Sequence, residues 1–373
     1  MRIAVNTRFL LKDRLEGMGW YIWEVVRRMV VAHPDDDFLF LFDRPFDASF
    51  TDFPNVRGVV VSPPARHPVL FLAWYDWAVP RVLRREKVAV FWSPDNFCSL
   101  RSPCPTLLTI HDLAYKYYPT YISRAQLAYY QYFTPRFVAA AAHIHTVSEY
   151  VKHDIEKHFP LAVGKISTAY NGCRKEFQPI SDTEITNIRL QYSTGSPYFL
   201  YVGAIHPRKN VHRLIAAFDA FKSTSGAAHK LLLCGRMAWG TEEVSAALAA
   251  AKHRNDIILP GFVPDAALPK LMAAAAALTY ISLFEGFGVP LLEAMNCNVP
   301  VLTSNTTSMP EVVGKAGLLV DPTNINDMAS GMTKLATDAN FCQKLVEIGQ
   351  MERQRFDWNS TAETIYQQLQ KIK

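Results

Sequence analysis

Glu285 and Glu293 stand eight residues apart in Phe284-Glu285-Gly286-Phe287-Gly288-Val289-Pro290-Leu291-Leu292-Glu293, just after an apolar run at 278–282. Pro290 suits the opening of a helix. Glu293 would then lie in the first helical turn and Glu285 in the loop before it. Two carboxylates so placed can accept hydrogen bonds from the hydroxyls of one polyhydroxy ligand, a sugar or a ribose. The backbone N–H groups of Gly286 and Gly288 would lie beside them. A Glu at a helix start is also stabilised by the helix dipole with no ligand present, and that alternative stays open for Glu293.

A second loop, Gly203-Ala204-Ile205-His206-Pro207-Arg208-Lys209-Asn210, follows the apolar run at 198–204 and opens a helical stretch. Arg208 and Lys209 are adjacent cations at a helix N-terminus, where the dipole repels them. A bound diphosphate would offset that repulsion, with the Arg giving a forked contact and the Lys a point charge. Extension of both side chains into solvent is the plainer alternative. Gly17-Met18-Gly19 precedes another helix and fits either an anion-binding turn or a tight turn without ligand. His111, in Thr109-Ile110-His111-Asp112-Leu113, ends an apolar strand and is expected to face a cleft across from Glu285; Asp112 also fits as the cap of a following turn.

These loops need a scaffold. Strand-length apolar runs at 1–6, 38–42, 59–61, 88–92 and 106–110 alternate with helical stretches such as 17–31 and 149–158. The rhythm restarts after polar, turn-rich residues near 178–197, with strands at 198–204, 230–234, 257–259, 278–282, 299–303 and 318–320. Alternating strand and helix predicts parallel sheets with crossover helices. The expected fold class is therefore α/β, two doubly wound domains facing each other across a cleft. Their expected bounds are 1–178 and 197–355, with a last helix at 356–373 packing back toward the first domain. In open parallel sheets, ligands gather at the carboxyl ends of the strands, where all four loops lie.

Composition narrows the class. The 373 residues are 49% hydrophobic and 20% charged, an ordinary globular balance. The net charge of +5 is too weak and too mixed to predict nucleic-acid binding. It is uneven, with 22 Lys+Arg against 16 Asp+Glu in residues 1–175 and 17 against 18 afterwards. Six scattered cysteines, at 98, 104, 173, 234, 297 and 342, form no C-x-x-C pair and fit a reducing cytosol. No signal-peptide pattern opens the chain, and the longest apolar runs fall far short of the ~18 residues that span a bilayer. A cytoplasmic protein is expected. The segment 69–87 mixes Phe71, Trp74, Tyr75 and Trp77 with Arg81, Arg84, Arg85 and Lys87. It fits either peripheral contact with the inner membrane surface, interrupted at Pro80, or buried aromatics with a basic rim.

With FEGFGVPLLEAM, GAIHPRKNVHRLIAAF, TIHDLAYKYYP, TVSEYVKHDI, YNGCRKEFQP and LPGFVPDAALPKLM on the page, the chain resembles the retaining GT-B glycosyltransferases of family 4, the "glycosyl transferases group 1". Its Glu-x7-Glu signature is matched by Glu285 and Glu293. The resemblance implies a nucleotide-sugar donor in the C-terminal domain and a glycan or lipid-linked acceptor in the N-terminal one. It implies that Arg208 and Lys209 neutralise the donor diphosphate and that Glu293 holds the ribose hydroxyls. Glu285, Gly286, Phe287 and Gly288 would contact the donor sugar, and His111 would lie near its hydroxyls. Gly17 and Gly19 would line the phosphate side, Gly203 would belong to the nucleotide-sugar site, and the backbone of Phe262 and Val263 would hold the base.

The resemblance further implies retention of configuration, no cofactor and no metal. Mannose from GDP-mannose is the first expectation for the donor and a surface-polysaccharide precursor for the acceptor. An epimerase on the same scaffold, or a non-catalytic sugar-nucleotide-binding subunit, are the alternatives. Trp20, directly after Gly19, departs from the small residue or Arg expected there; it fits stacking on a sugar face or packing in the core.

Overall fold

A computed structural model describes residues 1–12, 15–65 and 68–373, the side chains of Pro68 and Val69 excepted. The chain divides into two compact units, Met1–Asn171 with Asp357–Lys373, and Gly172–Phe356.

The first unit holds a seven-stranded parallel sheet of β1 (Arg2–Asn6), β2 (Asp37–Phe42), β3 (Val56–Val60), β4 (Val90–Ser93), β5 (Thr106–Ile110), β6 (His143–Thr146) and β7 (Ile166–Thr168). Their spatial order is β3-β2-β1-β4-β5-β6-β7. Ile3, Ala4 and Val5 of β1 and Leu107 and Leu108 of β5 are fully buried. Both faces of these strands are therefore covered, which is why they read as continuous apolar runs rather than alternating ones. The helix Gly17–Ala32 buries Ile22, Val25, Val26, Met29 and Val30. The last helix, Trp358–Lys371, belongs to this unit; its Ile365 and Leu369 are buried and Tyr366 stacks on His33.

The second unit holds a six-stranded parallel sheet of β8 (Tyr198–Val202), β9 (Lys230–Cys234), β10 (Ile257–Gly261), β11 (Ala277–Tyr280), β12 (Val301–Ser304) and β13 (Gly317–Val320). Their order is β10-β9-β8-β11-β12-β13. In each sheet the strand order reverses once, between β1 and β4 and between β8 and β11. Such a reversal splays the crossover helices to opposite faces and opens a crevice beyond the carboxyl ends of the two strands.

Two expectations are corrected. Residues 178–197, expected as a polar, turn-rich stretch between the domains, hold the helix Asp182–Ser193 of the second unit. Ser181 and Glu184 form a reciprocal capping box that satisfies the helix's first N–H groups, a short local signal inside a polar stretch. The segment after Val69 is not broken by Pro80. It runs as helix Pro68–Ala73, a π-helical turn Trp74–Ala78 and helix Val79–Arg85, and Pro80 sits at the start of the last, where its missing N–H costs no bond. Its aromatics divide: Trp74 and Tyr75 are buried, while Trp77 is 53% exposed. Among the described residues no helix is long and apolar enough to cross a membrane.

Candidate functional site

The second sheet's crevice is bounded by the loop after β8 and the loop after β11. The first contains the 3-10 turn Pro207–Lys209 and then Asn210, from which the helix Val211–Ser225 starts. The buried Asn210 pins it, donating from Nδ2 to the Ile281 carbonyl at 3.1 Å and to the Pro322 carbonyl at 2.7 Å. Leu283 N–H donates to the Arg208 carbonyl at 2.9 Å. The base of the loop passes so close to its neighbour that a Cβ on Gly235 would come within 1.9 Å of the Gly203 carbonyl oxygen. Gly203 and Gly235 are thus a matched close approach between the ends of β8 and β9.

The two loops meet on Glu285. Its Oε1 accepts from Lys209 Nζ at 2.5 Å and from Tyr280 OH at 3.0 Å, and its Oε2 from Arg208 Nη1 at 3.2 Å. Lys209 also donates to Tyr280 OH at 2.6 Å, and Arg208 to the Phe284 carbonyl at 2.5 Å. Burial alone would raise the Glu285 carboxyl, but Lys209 and Arg208 outweigh it and pull it down to about 2. Burial and the neighbouring Glu285 drive Tyr280 the other way, well above its ordinary value. The adjacent cations of the sequence therefore have a fixed counter-ion in the protein, which offsets their repulsion by the helix dipole. His206 stacks on Trp239 at 4.9 Å; burial, and then the Arg208 and Lys209 charges, lower it to about 3, so it is neutral at pH 7.

Glu293 sits elsewhere on the same helix. Gly288, at φ +94°, turns the chain so that the helix Val289–Asn296 begins one residue before Pro290. Glu293 is its fifth residue, not part of the first turn. It is 6% exposed and lies 3.6 Å from Arg174 Nη2. Burial raises its carboxyl to about 7, against the opposing pull of Arg174. The two glutamates therefore do not share one set of partners; each has its own cation.

Arg174, like Tyr280, is a residue that sequence reasoning missed. It lies in YNGCRKEFQP, 119 positions before Glu293, and packs its guanidinium over Phe177 at 4.9 Å. No local spacing relates it to the helix it serves.

Around these groups, Ser308 Oγ donates to the carbonyls of Glu285 at 2.9 Å and Phe287 at 3.2 Å, fixing the 285–288 turn. Gly286 is buried within that turn. Phe262 follows β10 and is 69% exposed, while Val263 beside it is buried.

The remaining candidates belong to the first unit. His111 is half-buried; its backbone N–H donates to Asn96 Oδ1 at 2.7 Å and its Nε2 is 2.8 Å from the Pro94 carbonyl. A carbonyl only accepts, so Nε2 carries the proton and Nδ1 is the free acceptor of the neutral ring. Burial lowers the His111 pKa, opposed by that carbonyl. The ring stands edge-to-face on Tyr21, centroids 4.7 Å apart. Asp112 caps the turn after it, accepting from Ala114 N–H at 3.0 Å.

The helix expected over 17–31 is found as Gly17–Ala32, and Gly17 and Gly19 lie in its first turn rather than in a loop before it. A Cβ on Gly19 would lie 2.8 Å from the Phe9 carbonyl oxygen, whereas nothing lies within 4 Å of one on Gly17. Gly19 is small for packing, and Gly17 leaves its backbone open. Trp20 is half-buried. Among the described residues no group of three or more His, Cys, Asp or Glu could hold a metal ion.

Comparison with known proteins agrees on one family. Residues 16–177 match the model of "Glycosyltransferase Family 4" and residues 183–351 that of "Glycosyl transferases group 1". The chain is 31% identical to the O-antigen chain mannosyltransferase B of Escherichia coli over 372 residues, 95% of this chain and 96% of that protein. Among solved structures, sucrose-phosphate synthase from Thermosynechococcus elongatus aligns with a TM-score of 0.79 at 19% identity, covering 98% of this chain and 97% of the other. Anabaena HepE in complex with UDP-glucose aligns at 0.75 and 19% identity, covering 100% of both.

Proposed function

The chain belongs to glycosyltransferase family 4, on the two-sheet GT-B scaffold, and from that premise we propose that it is a retaining, metal-independent mannosyltransferase that uses GDP-mannose and elongates a glycan or lipid-linked glycan precursor. The observation that carries the reading is the Arg208–Lys209–Glu285 cluster at the reversal of the second sheet. Two cations preassembled on one carboxylate, beside the end of a helix, suit a leaving diphosphate whose charge grows as the glycosidic bond breaks. Donors fixed in advance stabilise that charge without reorganisation.

The name of the Escherichia coli relative, an O-antigen mannosyltransferase that this chain matches almost end to end, supports mannose and a polysaccharide acceptor. In the proposed step the acceptor hydroxyl oxygen bonds to C1 of the sugar as the C1–phosphate oxygen bond breaks. The hydroxyl proton passes to an oxygen of the departing diphosphate. Attack and departure share one face, so configuration is kept. Arg208 and Lys209 hold the diphosphate, and their charge does the work a divalent ion would do. Glu293, raised toward 7, and Arg174 offer the ribose an acceptor–donor pair; the backbone at Phe262 and Val263 offers the base its contacts.

The test is transfer from GDP-mannose to a mannose-terminated acceptor in the presence of excess chelator, with the product linkage read by NMR. Retained α-configuration at an undiminished rate supports the reading. A β-linked product, activity only with UDP-sugars, or abolition by chelator overturns the corresponding part.

A further inference from the structure

Among the described residues six non-glycine residues have positive φ: Lys87, Asn96, Thr194, Asn210, Asn298 and Thr307. Lys87, Thr194 and Asn298 come directly after the last turns of helices, where a left-handed residue is an ordinary way to stop. Asn96 and Asn210 are of a type that tolerates this conformation, because a short amide can bond locally. Thr307 is neither. It stands at φ +58° two residues before the helix Met309–Val313, and its branched Cβ crowds the backbone there.

Its neighbour also gives up a local bond. Ser308 occupies the N-cap of that helix, where a serine hydroxyl ordinarily accepts from one of the first N–H groups, yet its side chain makes no capping bond. The hydroxyl donates instead to the carbonyls of Glu285 at 2.9 Å and Phe287 at 3.2 Å. Thr307 Oγ1 accepts from the Glu285 N–H at 3.3 Å. Two adjacent hydroxyls thus hold both polar groups of the Glu285 backbone. Thr306 Oγ1, beside them, is buried with no hydrogen-bond partner among the described residues.

Local stability does not account for this segment. A glycine or asparagine at 307 would relieve the backbone, and a serine turned onto its own helix would cap it. The departures have one beneficiary. Glu285 carries the carboxylate on which Lys209 and Arg208 meet, at 2.5 and 3.2 Å. With its N–H and carbonyl fixed, the place of that carboxylate is set apart from its own side-chain torsions. Strained residues persist where the surrounding structure enforces a geometry that function needs.

We infer that Thr307 is a positioning residue, held in a left-handed conformation so that its hydroxyl, together with that of Ser308, fixes the Glu285 backbone against Arg208 and Lys209. The contact itself is independent of what the site binds; its effect on transfer rests on the glycosyltransferase reading above.

The experiment compares Thr307→Gly and Thr307→Ser with the parent. The first removes both the strain and the hydroxyl, and the second restores the hydroxyl. Thr307→Gly is expected to melt no lower than the parent, while transfer from GDP-mannose falls by about ten- to a hundredfold. Hydrogen exchange of the Glu285 amide, followed by NMR on the full chain, should speed up about tenfold in the same variant. Thr307→Ser is expected to recover most of both losses. A threonine kept only for stability would give the reverse, a lower melting temperature with transfer unchanged. The inference is overturned if Thr307→Gly melts below the parent, if its Glu285 amide exchanges as the parent's does, or if Thr307→Ser is as impaired as Thr307→Gly. Exchange needs no substrate, so the two readings fail separately. A parent that transfers from no nucleotide-sugar, with the melting and exchange results as stated, would sink the transferase reading and support this one.

Discussion

Lys209 Nζ and Glu285 Oε1, 76 residues apart in sequence, are 2.5 Å apart across the crevice between β8 and β11. Arg208 occupies the other oxygen of the same carboxylate. The protein thus holds two adjacent cations on an internal anion, and a diphosphate bound there would have to share them with it. Breaking a buried ion pair by removing one partner typically costs about 3–5 kcal/mol. Here the third member keeps the remaining charge paired, so single changes at either cation should leave a folded protein.

Lys209→Ala is expected to lower transfer from GDP-mannose by about 10²–10³, while circular dichroism stays native. Wild-type turnover in that variant would remove Lys209 from the diphosphate contacts.

Glu285→Gln should separate binding from chemistry. It frees the two cations from their counter-ion, so GDP is expected to bind as well as before or better, while transfer falls. Calorimetric titration with GDP beside a turnover assay checks this. A parallel loss of both would mean that Glu285 acts only by holding the loop in shape.

The two signature glutamates should leave opposite marks on stability against pH. Glu285 titrates near 2 in the folded protein against an ordinary 4.5, so its contribution is present above 4.5 and is lost as pH falls toward 2. Glu293 titrates near 7 against the same 4.5, so the folded state holds its proton more tightly and stability is lost as pH rises from 4.5 through 7. Each effect is about 3 kcal/mol at most. Melting curves of Glu293→Gln should gain on the parent from pH 5 to 8, and those of Glu285→Gln should lose on it from pH 5 upward relative to pH 3. A constant offset at all pH values would refute either assignment.

Gly19→Ala and Gly17→Ala, two residues apart, should differ in sign. The first forces a Cβ to 2.8 Å from the Phe9 carbonyl oxygen and is expected to destabilise by about 1–3 kcal/mol. The second meets open space in a helix and is expected to stabilise by up to about 1 kcal/mol. Thermal melting of both variants decides it.

Much of the scaffold was legible because buried parallel strands are short continuous apolar runs: residues 106–110 and 230–234 read directly as β5 and β9. The strand Ile166–Thr168 escaped because three half-buried residues carry no period to read. The helix Asp182–Ser193 escaped because its face is mostly polar and only its cap announces it. At the site, the types and spacing of Arg208, Lys209, Glu285 and Glu293 pointed to a diphosphate and a sugar. Their partners did not show, since Arg174 and Tyr280 carry no local pattern that relates them to the carboxylates they meet.

From the amino-acid order alone came the strand–helix alternation, the two-part chain, the loops at strand ends and the residues that carry charge there, because each is a local property of a few neighbouring side chains. Folding decided which charge answers which. Glu285 and Glu293, spaced eight apart as a pair, were separated by a helix that starts one residue early, one settling on Lys209 and Arg208 and the other on Arg174. It likewise set Arg8 on Asp95 at the reversal of the first sheet. Such pairings are set by strand order and burial, which bring together residues tens of positions apart, and no local spacing encodes them.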